Sequence, residues 1–200
     1  MMQNDDIKYA GFWRRMAASF LDLPFFIPNF LIISYLEGIS PLLAGLSFIL
    51  AQVYVYAYTL GLTYRYGGTI GKLAIGIRIR PADGGELTWS NVWRRSAVDM
   101  LLAIVIIASE IFGMTRIDFP TYAAAGILAR SDIMNAAIPW LPTIGLLYMM
   151  WMASEFVVLM TNRRRRALHD FIAGTVVVVV RRQSATQVNP RAVLPVSGEA

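Results

Sequence analysis

The chain has no cysteine, so neither disulfides nor thiolate metal sites are available to it. It has one histidine, His169, which argues against a zinc centre. Charge is also scarce: 16% of the 200 residues are charged, against 56% hydrophobic, and mean hydropathy is +0.53. That is too apolar for a soluble domain of this size, and the chain is too long for a simple anchor. The net charge of +5 raises nucleic acid as a partner. The arginines cluster beside apolar segments, however, and membrane topology explains them better. No nucleic-acid partner, metal or cofactor is expected. No nucleophile–base pair stands out, so an enzyme is not expected either.

What the sequence does contain is long apolar runs. A membrane-spanning helix needs about 20 largely apolar residues. Four stretches qualify, running roughly from Phe12 to Tyr35, Leu42 to Tyr64, Ala97 to Gly113 and Pro139 to Met160. The first is too long for the apolar region of a cleavable signal peptide, and no small-residue cleavage site ends it. With the N-terminus placed in the cytoplasm, 16 of the 18 basic residues fall on that side, and only Arg116 and Arg130 fall outside. The positive-inside rule then puts both termini in the cytoplasm. The expected fold is an all-α membrane protein with four transmembrane helices in the cell (inner) membrane.

The segments between the spans are short. Ile75, Ile77 and Ile79 alternate with Gly76, Arg78 and Arg80, a strand pattern. A turn at Ala82-Asp83-Gly84-Gly85 then leads to a return strand at Glu86 to Trp89. Thr175 to Arg182 is also strand-like and too short to span as a helix. A small cytoplasmic β-hairpin or sheet joining these pieces is expected. Tyr122 to Met134 reads as a short interfacial helix. Residues 1–182 form one transmembrane domain, and residues 183–200, rich in Ser, Pro and Gln, read as a disordered cytoplasmic tail.

Polar residues inside the spans are few and aligned. Arg15, Ser19, Asp22 and Asn29 share a stripe on the first span, Arg95, Asp99 and Glu110 on the third, and Glu155 and Asn162 on the fourth. Carboxylates at graded depths are what proton or cation passage requires. The same groups also admit structural pairing: Arg15 with Asp22, Arg95 with Asp99, and Glu155 with an arginine near the tail. Pro24 and Pro28 each remove a backbone donor beside Asp22. The carbonyls of Phe20 and Pro24 are then free either for a cation or for a kink satisfied by neighbours. A weak repeat is visible too. Phe-Trp-Arg-Arg at 12–15 and Val-Trp-Arg-Arg at 92–95 both open a span from the cytoplasmic side, each with an aspartate within two turns.

Three blocks occur in order: YAGFWRRMAASFLD at 9–22, GGTIGKLAIGIRIRPADGGELTW at 67–89, and RRALHDFIAGTVVVV at 165–179. In these the chain resembles the RDD family of integral membrane proteins, named for one arginine and two aspartates. The resemblance covers roughly residues 7–182. By match the arginine is Arg15, with Arg14 adjacent, and the first aspartate is Asp22. The second is assigned to Asp170, with Asp99 as the competing candidate. The resemblance implies a fold more than a function, although cation/proton antiport has been proposed within the family.

Two functional expectations follow. One is a small secondary transporter of monovalent cations coupled to protons, a homo-oligomer because four helices enclose little volume. Asp22 would be its carrier and Arg15 the carrier's partner. The other is a non-transporting scaffold in the lipid bilayer that docks a partner through the cytoplasmic hairpin. The run Arg163, Arg164, Arg165, Arg166 anchors the topology or meets anionic lipid.

Overall fold

The computed structural model describes residues 8–180. Four helices in it are long and apolar enough to cross a membrane: α1 (Phe12–Leu36), α2 (Pro41–Tyr66), α4 (Trp89–Gly113) and α7 (Leu141–Thr161). Between α2 and α4 lie a short helix, α3 (Ile70–Ala74), and a strand, β1 (Ile77–Pro81). Between α4 and α7 lie α5 (Phe119–Ala124) and α6 (Ile127–Ala137). A last helix, α8 (Leu168–Ala173), and a strand, β2 (Thr175–Val179), follow α7.

Local chemistry sets the helix ends. Ser40 caps α2, its hydroxyl accepting from Leu43 N at 3.2 Å, and Pro41 opens the helix, where its missing N–H is no loss. Gly67, with φ 80°, ends α2 in the left-handed conformation that glycine adopts without strain. At α4, Thr88 and Asn91 cap each other reciprocally, which carries the helix back to Trp89 rather than the expected Ala97. Thr88→Ala should therefore lower stability by about 1 kcal/mol, read from the thermal unfolding midpoint in detergent. The helix α1 continues through both Pro24 and Pro28.

The sheet differs from the expected hairpin. No strand forms at Glu86 to Trp89, because Trp89 is already helical and residues 82–88 form the approach to the Thr88 cap. The partner of β1 is β2, antiparallel, in the register Ile77↔Val179 to Pro81↔Thr175. On its other edge β2 meets the segment before α1: Ala10 N donates to Val177 O at 2.8 Å, and Val179 N donates to Lys8 O at 2.8 Å. Ile77 and Ile79 point inward with Val177, Ala10 and Ala18, while Arg78 and Arg80 point outward. The tail at 183–200 lies outside the described residues.

At the opposite end, the single helix expected at Tyr122 to Met134 is two. Asp118 caps α5, accepting from Thr121 N at 3.2 Å, and Ala125 leaves the helix with extended backbone before Gly126 opens α6. Arg130 ties this end together by donating to the carbonyls of Tyr122, Ser34 and Ala123. Tyr122, Met134 and Ile138 pack there with Ala44 and Met114. Lipid tails are as apolar as the helix faces, so hydrophobicity alone does not fix how such helices meet. The polar contacts described next do much of that orienting.

Candidate functional site

Asp170, fully buried in the first turn of α8, is the centre of the largest polar cluster. Arg15 Nη1 donates to its Oδ2 at 2.8 Å, and Ala167 N donates to the same oxygen at 3.0 Å. Arg95 Nη1 and the Thr175 hydroxyl donate to Oδ1. Each carboxylate oxygen thus accepts two donors, which uses its full capacity. Burial by itself would raise the Asp170 carboxyl. The charges facing it, Arg95 foremost, override that and hold it well below the usual carboxylate range.

The expected pairs Arg15–Asp22 and Arg95–Asp99 are therefore not formed. Both arginines pair instead with the aspartate on α8. Arg15 and Arg95 are the last residues of the two Trp-Arg-Arg sequences, so the weak repeat converges on one carboxylate. Its function is visible only with α8 in place. Arg15 also donates from Nη2 to Arg165 O at 2.6 Å, which fixes the turn after α7.

The cluster continues through His169. Arg95 Nη2 can only donate, so His169 Nε2 is the acceptor at 2.6 Å and the imidazole proton sits on Nδ1. That Nδ1 faces Glu155 Oε2, and His169 N donates to Glu155 Oε1 at 2.9 Å. Burial and the Arg95 charge push the His169 pKa down against the pull of Glu155, which keeps the ring neutral. Glu155 is thus held by the histidine and not by an arginine of the tail. In the run Arg163–Arg166, Arg166 Nη2 donates to Asp170 O at 2.8 Å.

Asp22 forms a separate clamp. It is 6% exposed and accepts from Tyr58 OH at 2.7 Å, Thr69 Oγ1 at 2.6 Å and Gly71 N at 2.7 Å. Phe25 and Phe26 pack on the Tyr58 ring and aim its hydroxyl. The Gly71 amide is in the first turn of α3, so a carboxylate from α1 satisfies the start of α3. Glycine at 71 is required for close approach: a Cβ there would collide with the Ala18 carbonyl. Asp22 therefore ties α1, α2 and α3 together, and among the described residues no arginine pairs with it.

Asp99 stands apart from both clamps. It lies in a cavity of about 530 Å³ bordered by α2, α3, α4, α7 and α8. Its Oδ1 accepts one hydrogen bond, from Trp151 Nε1 at 2.9 Å. Among the described residues it forms no ion pair, and neither does Lys72, which lines the same cavity. Arg95 and His169 form part of the wall, so the cavity abuts the Asp170 cluster. Gln52, Tyr56, Thr59, Ser96 and Tyr148 supply further polar groups. Glu110, near the far end of α4, accepts no hydrogen bond from a described side chain and is not brought to this site. No group of three or more His, Asp or Glu residues suited to a metal ion occurs among the described residues.

Sequence reasoning missed His169 and the Thr69–Gly71 turn as partners, and Lys72 as a lining residue of the Asp99 cavity. The motif Gly-Gly-Thr-Ile-Gly-Lys carried a signal for the turn. A Thr–X–Gly beside a helix start offers one hydroxyl and one open amide to an anion. The sequence model of the RDD family matches residues 9–174 of the chain. No curated protein and no solved structure matches it.

Proposed function

The chain belongs to the RDD family, and from that premise we propose a small secondary transporter of the cell (inner) membrane, both termini cytoplasmic, that exchanges monovalent cations for protons at Asp99. The observation that carries this reading is the contrast between the carboxylates. Asp170 has no acceptor capacity left, and Asp22 is closed off by three donors. Asp99 faces a polar cavity with one donor bound and room for more. Hard monovalent cations take oxygen ligands, and tyrosine, threonine, serine and glutamine residues line the same cavity as that carboxylate. A single carboxylate holds either a proton or a cation, so the two compete, and competition at one site is the basis of exchange. Lys72 in the same wall opposes cation binding by like-charge repulsion. The placement of 16 of 18 basic residues supports the orientation. A homo-oligomer is part of the proposal.

The second reading is a scaffold that docks a partner at its cytoplasmic sheet. It is favoured by how fully Arg15, Asp22 and Asp170 are engaged within the chain. Purified protein in liposomes separates the two. Wild type should show proton flux driven by a monovalent cation gradient, and Asp99→Asn should remove it while keeping the wild-type melting profile. Absence of flux in correctly folded wild type, or wild-type flux in Asp99→Asn, would overturn the transport proposal.

A further inference from the structure

A second cavity, of about 840 Å³, lies where α1 begins and α7 ends, on the side of the molecule that carries the sheet. It is lined by Lys8, Arg14, Arg163 and Arg165, and by no acidic residue. Among the described residues none of these four cations forms an ion pair or donates a side-chain hydrogen bond. The groove is built rather than incidental. Arg165 has φ 48°, the sole non-glycine residue with positive φ among those described, a backbone state disfavoured for a side chain of its kind. Two contacts hold it there: Arg165 N donates to Asn162 O at 2.9 Å, and Arg15 Nη2 donates to Arg165 O. Its guanidinium then lies across Gly11, over the space a Cβ would fill. A glycine and a left-handed arginine together put a cation into the groove.

The other wall is apolar. Phe12, Leu159 and Met160 line it and continue onto the faces of α1 and α7 that cross the membrane, and Trp13, 77% exposed, stands at the edge. Four cations above an apolar wall that runs into the bilayer match one ligand class, a lipid with an anionic head and acyl tails. We propose that this groove binds the phosphate headgroup of an anionic phospholipid, its acyl chains lying along α1 and α7. A free phosphate would match the cations but leave the apolar wall unused. The site shares no residue with the Asp99 cavity, so it stands whether or not the transport proposal does.

Trp13 gives a direct reading. Wild type and Trp13→Phe are reconstituted in phosphatidylcholine vesicles containing the same mole fraction of either brominated phosphatidylglycerol or brominated phosphatidylcholine. The Trp13 contribution to fluorescence, taken as the difference between the two proteins, should be quenched several-fold more by the anionic lipid. Each arginine removed should lower that preference about fivefold, so Arg14→Gln/Arg163→Gln should nearly abolish it. Gly11→Ala removes no charge but displaces the Arg165 guanidinium, and it should weaken the preference with an unchanged melting profile. Equal quenching by the two lipids would overturn the proposal. So would a preference untouched in both variants, or its complete loss to added inorganic phosphate, which would indicate a site for free anions.

Discussion

Asp170→Asn should leave little or no folded protein. The substitution keeps the shape and removes the charge. Arg15 and Arg95 would remain buried against an amide whose NH₂ group must face donors on one side or the other. Removing one partner of a buried ion pair costs about 3–5 kcal/mol, and here two cations share the lost partner. Typical total stability is about 5–15 kcal/mol, so the change removes a large part of it. Yield of monodisperse protein in detergent and its thermal midpoint are the measurements. A midpoint within a few degrees of wild type would refute the central role given to Asp170. The pH dependence has a definite sign. Because the folded-state pKa is depressed, the stabilisation is fully present above the ordinary aspartate value of about 3.9 and is lost as pH falls towards the folded value. Wild type should therefore lose stability as acid is added below about pH 4, and any residual folded Asp170→Asn should lack that component.

Gly71→Ala should be the second most damaging change, although it adds only a methyl group. That carbon would collide with the Ala18 carbonyl and come within 2.9 Å of the Asp22 carboxyl. A backbone carbonyl in the middle of α1 cannot swing aside as a side chain can. The start of α3 must lift instead, which loosens the two hydrogen bonds that Thr69 and Gly71 donate to Asp22. Overpacking costs about 1–3 kcal/mol, and the weakened clamp places this case at the upper end, about 3 kcal/mol. Gly61→Ala is the matched control, since a Cβ there meets nothing within 4 Å. It should leave the midpoint unchanged or slightly raised. Equal behaviour of the two variants would show that α3 is not held by Asp22.

The sequence made the architecture legible because lipid imposes a length and an apolar content on anything that crosses it. Four spans, the strand character of Ile77 and Ile79, and that of Thr175 onward, could all be read locally. The partners could not. Arg15 and Asp22 lie seven apart on one helix, and stripe geometry joins them. Yet Arg15 has a better partner 155 residues away and Asp22 has three neutral donors from α2 and the α3 turn. Periodicity reports which residues share a face and says nothing about which other element covers it. Strand pairing failed for the same reason. The Asp-Gly-Gly turn suggested a local return strand, but β2 supplies a run of valines with an apolar face for Ile77 and Ile79. The stripe on α4 allows a pair between Arg95 and Asp99, but Arg95 is engaged by Asp170 and Asp99 is left to Trp151 and the cavity.

The sheet bears on timing. One strand, β2, lies between β1 and the segment at residues 8–10, and it is among the last of these parts to leave the ribosome. The four apolar helices can each enter the bilayer as they are made. The start of α1, however, has no sheet partner until residues 177–179 exist, and Arg15 has no carboxylate until residue 170 does. Closing contacts of such long sequence separation is slow. The latch that joins the two ends of the chain is thus completed by residues made after the helices it holds. Until then Arg15 and Arg95 lack the carboxylate that they share in the finished fold.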